Sequence, residues 1–397
     1  MRAPMVRSIK ASAGTTPRRR WLVVAVVAGI GLAACSSSSG GGSTAGGSSS
    51  SGASSDSAPG VADALATVAK YRATSDAFTA PGPAFDATSL KGGSLYYVSL
   101  SQAIPVLARE QEGIKQAATA LGMSFHVCDG KFQPAQAAAC INAAVSAGAK
   151  GIFTDSIVIG AVSTAAANAA SKGIPIVALS AIGTSTKNVS YVSNGDELSH
   201  MVSASWIVAD SGGKAKVLQT GVQDDSGAIN DITTGSKPIF DKCTGCNVVR
   251  ATYTAQTVPG IPSLISSSLL KNRDRNYGFP QFDFLVPLYK SGVQTAGFTN
   301  KMKIVSTNAV VSSMQLVKSG GQAADAGSNR NYSGWAATDT MARMIKGQTV
   351  APYIVPVRLF DKTNIDSVTL TEAAATSGEW FGSLAYQKDF QKLWGRS

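Results

Sequence analysis

From Gly93 onward, short apolar runs rich in β-branched residues alternate with longer Ala-rich stretches, and this rhythm constrains the fold more than any other feature of the chain. Repeated strand–helix units wind onto a parallel sheet, because each crossing helix covers a sheet face that would otherwise meet water. The pattern predicts strands at Ser94–Ser99, Ser124–Cys128, Gly151–Thr154, Ile176–Leu179, Lys216–Thr220, Asn247–Arg250 and Lys303–Ser306. Helices fill most of the gaps. Pro105 suits a first helical turn, where its missing N–H is no loss; the helix runs to Leu121 and Gly122 caps it. Ala135–Ala147 ends likewise at Gly148, and Gly173-Ile174-Pro175 stops the next helix and feeds a strand. Glu197–Ala209, Gly227–Asp241, Ser263–Asn272, Val311–Lys318 and Gly334–Ile345 are the later helices.

The front of the chain is of another kind. Residues 1–35 read as an export signal: Arg18, Arg19 and Arg20 lead into an uncharged run from Trp21 to Ala34. That run is shorter than the roughly 20 residues that span a bilayer. It closes on Leu32-Ala33-Ala34-Cys35, which looks like a bacterial lipoprotein lipobox, with the Cys35 thiol as the site of lipid attachment. Arg18-Arg19 followed by Trp21-Leu22 faintly suggests a twin-arginine signal, and the export route stays open between that and general secretion. Residues 36–60 are almost all Ser, Gly and Ala, a composition that cannot bury apolar surface and reads as a linker. Residues 61–87 read as a helical pre-segment followed by a Pro-rich stretch, packing on the first lobe of the body or extending the tether.

The net charge of +11 invites a nucleic-acid reading, but six of the 35 basic residues lie in the first 35 and no acid does. The remainder carries 29 basic against 24 acidic residues, and no basic stripe with interleaved aromatics stands out, so no nucleic-acid partner is expected. Besides Cys35 there are Cys128, Cys140, Cys243 and Cys246. Outside the cytoplasm an even count favours disulfides, and of three connectivities the local pairs Cys128–Cys140 and Cys243–Cys246 are preferred. Cys243-Thr-Gly-Cys246 also has the form of a redox motif or half a zinc site, yet no second CxxC or nearby histidine completes a metal set, and no metal or cofactor is expected.

Read in order, Tyr97-Val98-Ser99 with Pro105 and Glu112-Gly113, Gln136 in its Ala-rich helix, Gly173-Ile174-Pro175-Ile176-Val177, Tyr191-Val192-Ser193-Asn194, Gly334-Trp335 with Asp339, and Gly347 resemble the type I periplasmic binding proteins of the ribose-binding group. The resemblance covers roughly Gly93 to Val357. It implies an α/β fold of two Rossmann-like lobes, each a parallel sheet flanked by helices, joined by a three-crossover hinge and closing on a ligand. Crossovers near Asn194, Asn329 and Val357 place 88–194 plus 330–357 in the N-terminal lobe and 195–329 plus 358–397 in the C-terminal lobe. The resemblance further implies a small-molecule ligand, a monomeric binder that docks on the permease of an ABC importer, and, with Cys35, a membrane reached through lipid.

Ligands of such folds sit where loops at the carboxyl ends of parallel strands converge on helix N-termini. Candidates there are Ser101, Gln102, Phe132, Gln133, Asp155, Ser156, Asn194, Asp224, Asp225, Asn230, Phe282, Asp283, Asn308 and Asn329. The chain departs from ribose-type proteins in three places. Val106 and Leu107 stand where the first loop usually sends aromatics, Ile157-Val158-Ile159 beside Asp155 and Ser156 replaces an Asp after the third strand, and no Arg occurs around Asp231-Ile232. Each sugar hydroxyl that loses water needs a new partner. A cleft poorer in charged groups and rings therefore predicts a ligand with a substantial apolar part. Several candidates have blander readings: Val106 and Leu107 as core, Asp155, Asp224 and Asp225 as helix caps, Trp335 as packing against the hinge, Arg330 and Arg343 as anion contacts or, for Arg343, a solvated ion pair with Asp339.

An enzyme is not expected. The chain has two histidines, His126 in a strand and His200 on a helix, and no Gly-x-Ser-x-Gly elbow or phosphate-cradling loop. A solute-sensing lipoprotein and an ordinary sugar binder are the rival readings; a repressor core of the same fold is set aside because an export signal replaces DNA-binding helices.

Overall fold

The computed structural model describes residues 59–76 and 78–396, all within one unit, so the signal, Cys35 and nearly all of the Ser/Gly linker lie outside the described residues. The first sheet contains β1 (Ser94–Ser99), β2 (Ser124–Asp129), β3 (Gly151–Asp155), β4 (Ile176–Leu179) and β5 (Val189–Val192), in the order β2-β1-β3-β4-β5 and parallel throughout. The second contains β6 (Lys216–Val222), β7 (Asn247–Tyr253), β8 (Tyr277–Phe279), β9 (Lys303–Thr307), β10 (Ala324–Ser328) and β11 (Val357–Asp361), in the order β11-β10-β9-β8-β6-β7. Only β11 runs antiparallel, against β10.

The helices are α1 (Val61–Arg72), α2 (Pro105–Ala120), α3 (Pro134–Ser146), α4 (Ser163–Ser171), α5 (Asp196–Asp210), α6 (Ser226–Asn230), α7 (Lys237–Lys242), α8 (Ile261–Lys271), α9 (Val286–Thr295), α10 (Val311–Ser319), α11 (Arg330–Ile345), α12 (Glu372–Ser377) and α13 (Tyr386–Leu393). The segment read as one helix over Gly227–Asp241 is interrupted by a π-helical stretch at Asp231–Ser236. The chain leaves the first sheet between β5 and α5, returns between β10 and α11, and leaves again between α11 and β11. Each lobe has its own core. Leu95, Tyr97, Phe153 and Val177 meet Ile114 of α2 and Trp335 and Met341 of α11 in the first; Val217, Phe279, Val305 and Leu359 meet Val202 and Ile207 of α5 in the second.

Two expectations about the flanks change. The pre-segment belongs to the second lobe, since Val61, Ala64 and Val68 of α1 are buried in its core and Arg72 pairs with Asp361 at 2.6 Å. The tail divides between the lobes: β11 joins the second sheet, but α13 and Trp394 pack into the first core, where Trp394 stacks on Trp335 with ring centres 5.6 Å apart. Trp335 therefore packs against the tail rather than the hinge. The two flanks also bond to each other, Ser75 N–H to Phe381 O, Phe85 N–H to Leu393 O and Ala87 N–H to Trp394 O. Among the described residues no helix is long and apolar enough to cross a membrane.

Candidate functional site

Three strands end in a residue with left-handed backbone that is not glycine: Ser156 after β3 (φ 57°), Ser180 after β4 (φ 53°) and Asn308 after β9 (φ 108°), the last followed by Ala309 (φ 57°). Such conformations cost on the order of 1–3 kcal/mol and persist where surrounding structure imposes them, often at binding sites. Here they turn three polar side chains into the space between the lobes.

That space holds two adjoining cavities, of 80 and 220 Å³, that share Ser180, Asp196 and Asp231. In the smaller, the first lobe presents Leu100, Ile104, Val106, Leu107, Ser156 and Ser180, while the second presents Asp225, Ala228, Asp231, Phe282, Phe284 and Asn308, with Arg330 and Asp196 at the hinge. Phe282 and Phe284 stack with centres 5.6 Å apart. The larger cavity takes Asn194 and Asn230 together with Ile182, Tyr191 and Glu197. Each cavity alone falls below the roughly 300–1,000 Å³ of a typical ligand pocket.

A charged cluster forms the root of the cleft. Arg330, buried at the start of α11, reaches Glu110 of α2 at 3.3 Å, Asp196 of α5, and Asn308 at 3.5 Å. Ser333 donates to the other oxygen of Glu110. Burial pushes Glu110 up to about 8 and Asp155 adds to this, while Arg330 opposes it. Asp155 does not line the cavity. Its carboxylate accepts hydrogen bonds from Tyr97 (2.6 Å), Ser180 (3.0 Å) and Ser156 (3.2 Å), so it orients two hydroxyls that do. Burial pushes its carboxyl up, and these same hydroxyls pull it back. Asp225 caps α6 through Gly227 N–H and Ala228 N–H and also faces the cleft. Asp231 makes no hydrogen bond through its side chain among the described residues; burial, then Asp196, push its carboxyl well up.

Of the candidates, Val106, Leu107, Ser156, Asp225, Phe282 and Asn308 meet in the smaller cavity, and Asn194 and Asn230 in the larger. The rest lie outside both. Ser101 accepts from Ala103 N–H, Gln102 donates to Ser99 Oγ at 2.7 Å, Phe132 and Gln133 are exposed, and Asp224 accepts from Ala255 N–H. Asp283 accepts from Val310 N–H, and Asn329 caps α11 through Tyr332 N–H. Sequence reasoning did not single out Leu100, Ile104, Ser180, Asp196, Ala228, Asp231 or Phe284. Nor is the cleft poor in charges and rings: three aspartates, one arginine and two phenylalanines line it. Arg343 pairs with Asp339 at 2.7 Å, but the pair is buried rather than solvated.

Two lobes meeting at the carboxyl ends of their strands, with polar and apolar groups converging between them, define a cleft-binding protein rather than a surface-binding one. Residues 95–349 match the family model described as a periplasmic binding protein domain, and the chain belongs to that family. The family is one of extracytoplasmic solute-binding proteins, not of enzymes. Among solved structures, the 5-methylthioribose transporter solute-binding protein of Thermotoga lettingae is similar with a TM-score of 0.64 at 15% identity, over 76% of this chain and 96% of that one. A Mycobacterium smegmatis protein in complex with β-D-fucofuranose gives 0.62 at 18% identity, over 72% and 98%. An ABC transporter solute-binding protein of Agrobacterium vitis bound to α-D-tagatopyranose gives 0.61 at 18%, over 69% and 96%. No curated protein matches the sequence.

Proposed function

We propose that this chain is the solute-binding lipoprotein of an ABC importer, held at the outer face of the cell membrane by lipid on Cys35, and that its ligand is a small polyhydroxylated solute with an apolar edge. The observation that carries the ligand class is the division of the cleft: Leu100, Ile104, Val106 and Leu107 form an apolar wall opposite Asp225, Asp231 and Asn308. An aliphatic wall offers hydroxyls no replacement for lost water, so it favours a deoxy or alkylthio substituent there. The opposing carboxylates accept from hydroxyls, and Phe282 and Phe284 supply ring faces. The similar proteins bound to 5-methylthioribose and fucofuranose fit this reading. The two cavities adjoin, and a ligand filling both draws on each lobe.

The close pairs Cys128–Cys140 and Cys243–Cys246, with Cα atoms 5.8 and 5.3 Å apart, support two local disulfides, the first tying β2 to α3. The protein acts as a monomer, its lobes separating to admit the solute and closing for presentation to the permease.

The test is a thermal-shift panel on the full chain with Cys35→Ser. A ligand at 100 times its dissociation constant adds about 2.7 kcal/mol of stability. We expect stabilisation by 5-methylthioribose or 6-deoxy sugars that exceeds the effect of tagatose, glucose and galactose. Equal or larger shifts with the fully hydroxylated sugars would restore an ordinary sugar importer, and no shift with any of them would overturn the ligand class.

A further inference from the structure

Arg109 belongs to α2, two residues beyond Leu107, and its side chain crosses from the first lobe into the second. It is 3% exposed. Its Nη1 donates to Ala309 O at 2.8 Å, and its guanidinium lies 5.4 Å from the Trp380 ring centre. Nη2 stands 3.4 Å from the Glu372 carboxylate, which is itself 70% exposed. Glu372 and then Asp283 supply the charge that opposes the cost of burying this cation.

The acceptor is not ordinary backbone. Ala309 follows Asn308, the cleft-lining residue at the end of β9, and both have positive φ. The second lobe holds this turn through two carboxylates, with Ala309 N–H donating to Asp325 at 3.0 Å and Val310 N–H to Asp283 at 2.6 Å. A buried cation of one lobe thus bonds the strained segment of the other lobe that presents a side chain to the ligand.

We propose that Arg109 is a positioning residue that latches the lobes shut, fixing Asn308 toward the cleft without touching the solute. This rests on the reading that the protein binds its solute by lobe closure. When the lobes part, α2 carries Arg109 away from Ala309 O, and water takes the freed donors. Closure exchanges that hydration for the carbonyl and the Trp380 face. The contact is incompletely satisfied: Arg109 Nε and Asp283 Oδ1 make no hydrogen bond among the described residues. A contact of that kind is reversible, unlike the cores of the lobes, whose apolar packing is continuous.

The test needs no ligand. Small-angle scattering and hydrogen exchange compare the full chain carrying Cys35→Ser with the same chain bearing Arg109→Met or Arg109→Lys, each first checked for a cooperative melt. Losing a hydrogen bond to a charged group corresponds to about ten- to a hundred-fold in the open-to-closed ratio. Arg109→Met should raise the radius of gyration and speed exchange at the Ala309 and Val310 amides while core strand amides stay protected. Arg109→Lys, which keeps the charge and one donor, should recover part of the effect. If Arg109→Met unfolds, Glu372→Gln, which removes the carboxylate 3.4 Å from the Arg109 guanidinium, should open the chain in the same direction. Unchanged radius and unchanged exchange in the folded variants would overturn the latch. That outcome leaves solute binding untouched, and a panel without a ligand leaves the latch untouched.

Discussion

Glu110 shows how much one buried side chain sets at the root of the cleft. Its carboxyl sits well above the ordinary carboxylate range because burial, reinforced by Asp155, outweighs Arg330 and Ser333. A folded value raised from 4.5 to about 8 means that the folded state keeps a proton the unfolded chain gives up. Its stabilising contribution is complete below about pH 4.5 and is lost as pH rises through about 8. Glu110→Gln should therefore flatten the fall in stability across that window, measured by urea unfolding at a series of pH values. Arg330→Met acts in the opposite sense, because it removes the cation that opposes the rise at Glu110 and leaves Asp196 without its partner. Breaking such a buried pair costs about 3–5 kcal/mol, which the midpoint of chemical denaturation would report.

At this scale the sequence was only partly legible. Val106 and Leu107 were singled out because the family resemblance puts them where the first loop usually sends aromatics toward the ligand. Ser180 was not, since a serine that will adopt positive φ carries no compositional mark. Asp155 has the right chemistry in the right loop, yet three hydroxyls occupy it, and nothing in sequence spacing says which carboxylate is already satisfied.

Among the elements, the crossing of α2 and α11 depends on two glycines. A Cβ at Gly113 would lie 2.3 Å from Asn331 O, and one at Gly334 would lie 2.5 Å from Glu110 O. The two helices touch backbone to backbone where Arg330 and Glu110 pair, so the glycines bring the ion pair together. Gly334→Ala should force the helices apart and cost about 1–3 kcal/mol, as overpacked sites do. It should also weaken ligand affinity, a loss that calorimetry on the stabilising solute would detect. Glu112-Gly113 and Gly334-Trp335 were among the pieces that carried the family resemblance, and close helix approach is their physical content.

Strands with β-branched runs, such as β1, β4 and β6, were readable within two residues. The unread ones have identifiable reasons. β10 is Ala-Asp-Ala-Gly-Ser, all small or polar, and is fixed by parallel pairing with β9 and antiparallel pairing with β11. β8 has three residues with Gly278 in the middle, where a Cβ would lie 2.6 Å from the Tyr289 ring. Tertiary contact decides such segments, not propensity.

For the whole molecule, the segments outside the matched region 95–349 form part of both cores. Trp394 is fully buried, stacks on Trp335 and donates to Asp339 at 2.8 Å. Trp394→Ala should cost about 3–5 kcal/mol, with the strand amides of the first lobe losing more hydrogen-exchange protection than those of the second. The two-lobe architecture was legible because alternating strands and helices admit few topologies. The destination of the flanks was not, because amphipathic pieces at chain ends can dock on either lobe.

The bonding of one flank to the other also governs when the fold can be completed. Phe85 and Ala87 take their backbone acceptors from Leu393 and Trp394, roughly 300 residues later in the order of synthesis. At about 5–20 residues per second, the roughly 300 intervening residues take about 15–60 s to make. Throughout that time the first lobe lacks the layer that Phe390 and Trp394 supply, and its core stays incomplete until they have been made. If the chain is exported as proposed, this delay leaves a period in which it can be threaded across a membrane before it locks.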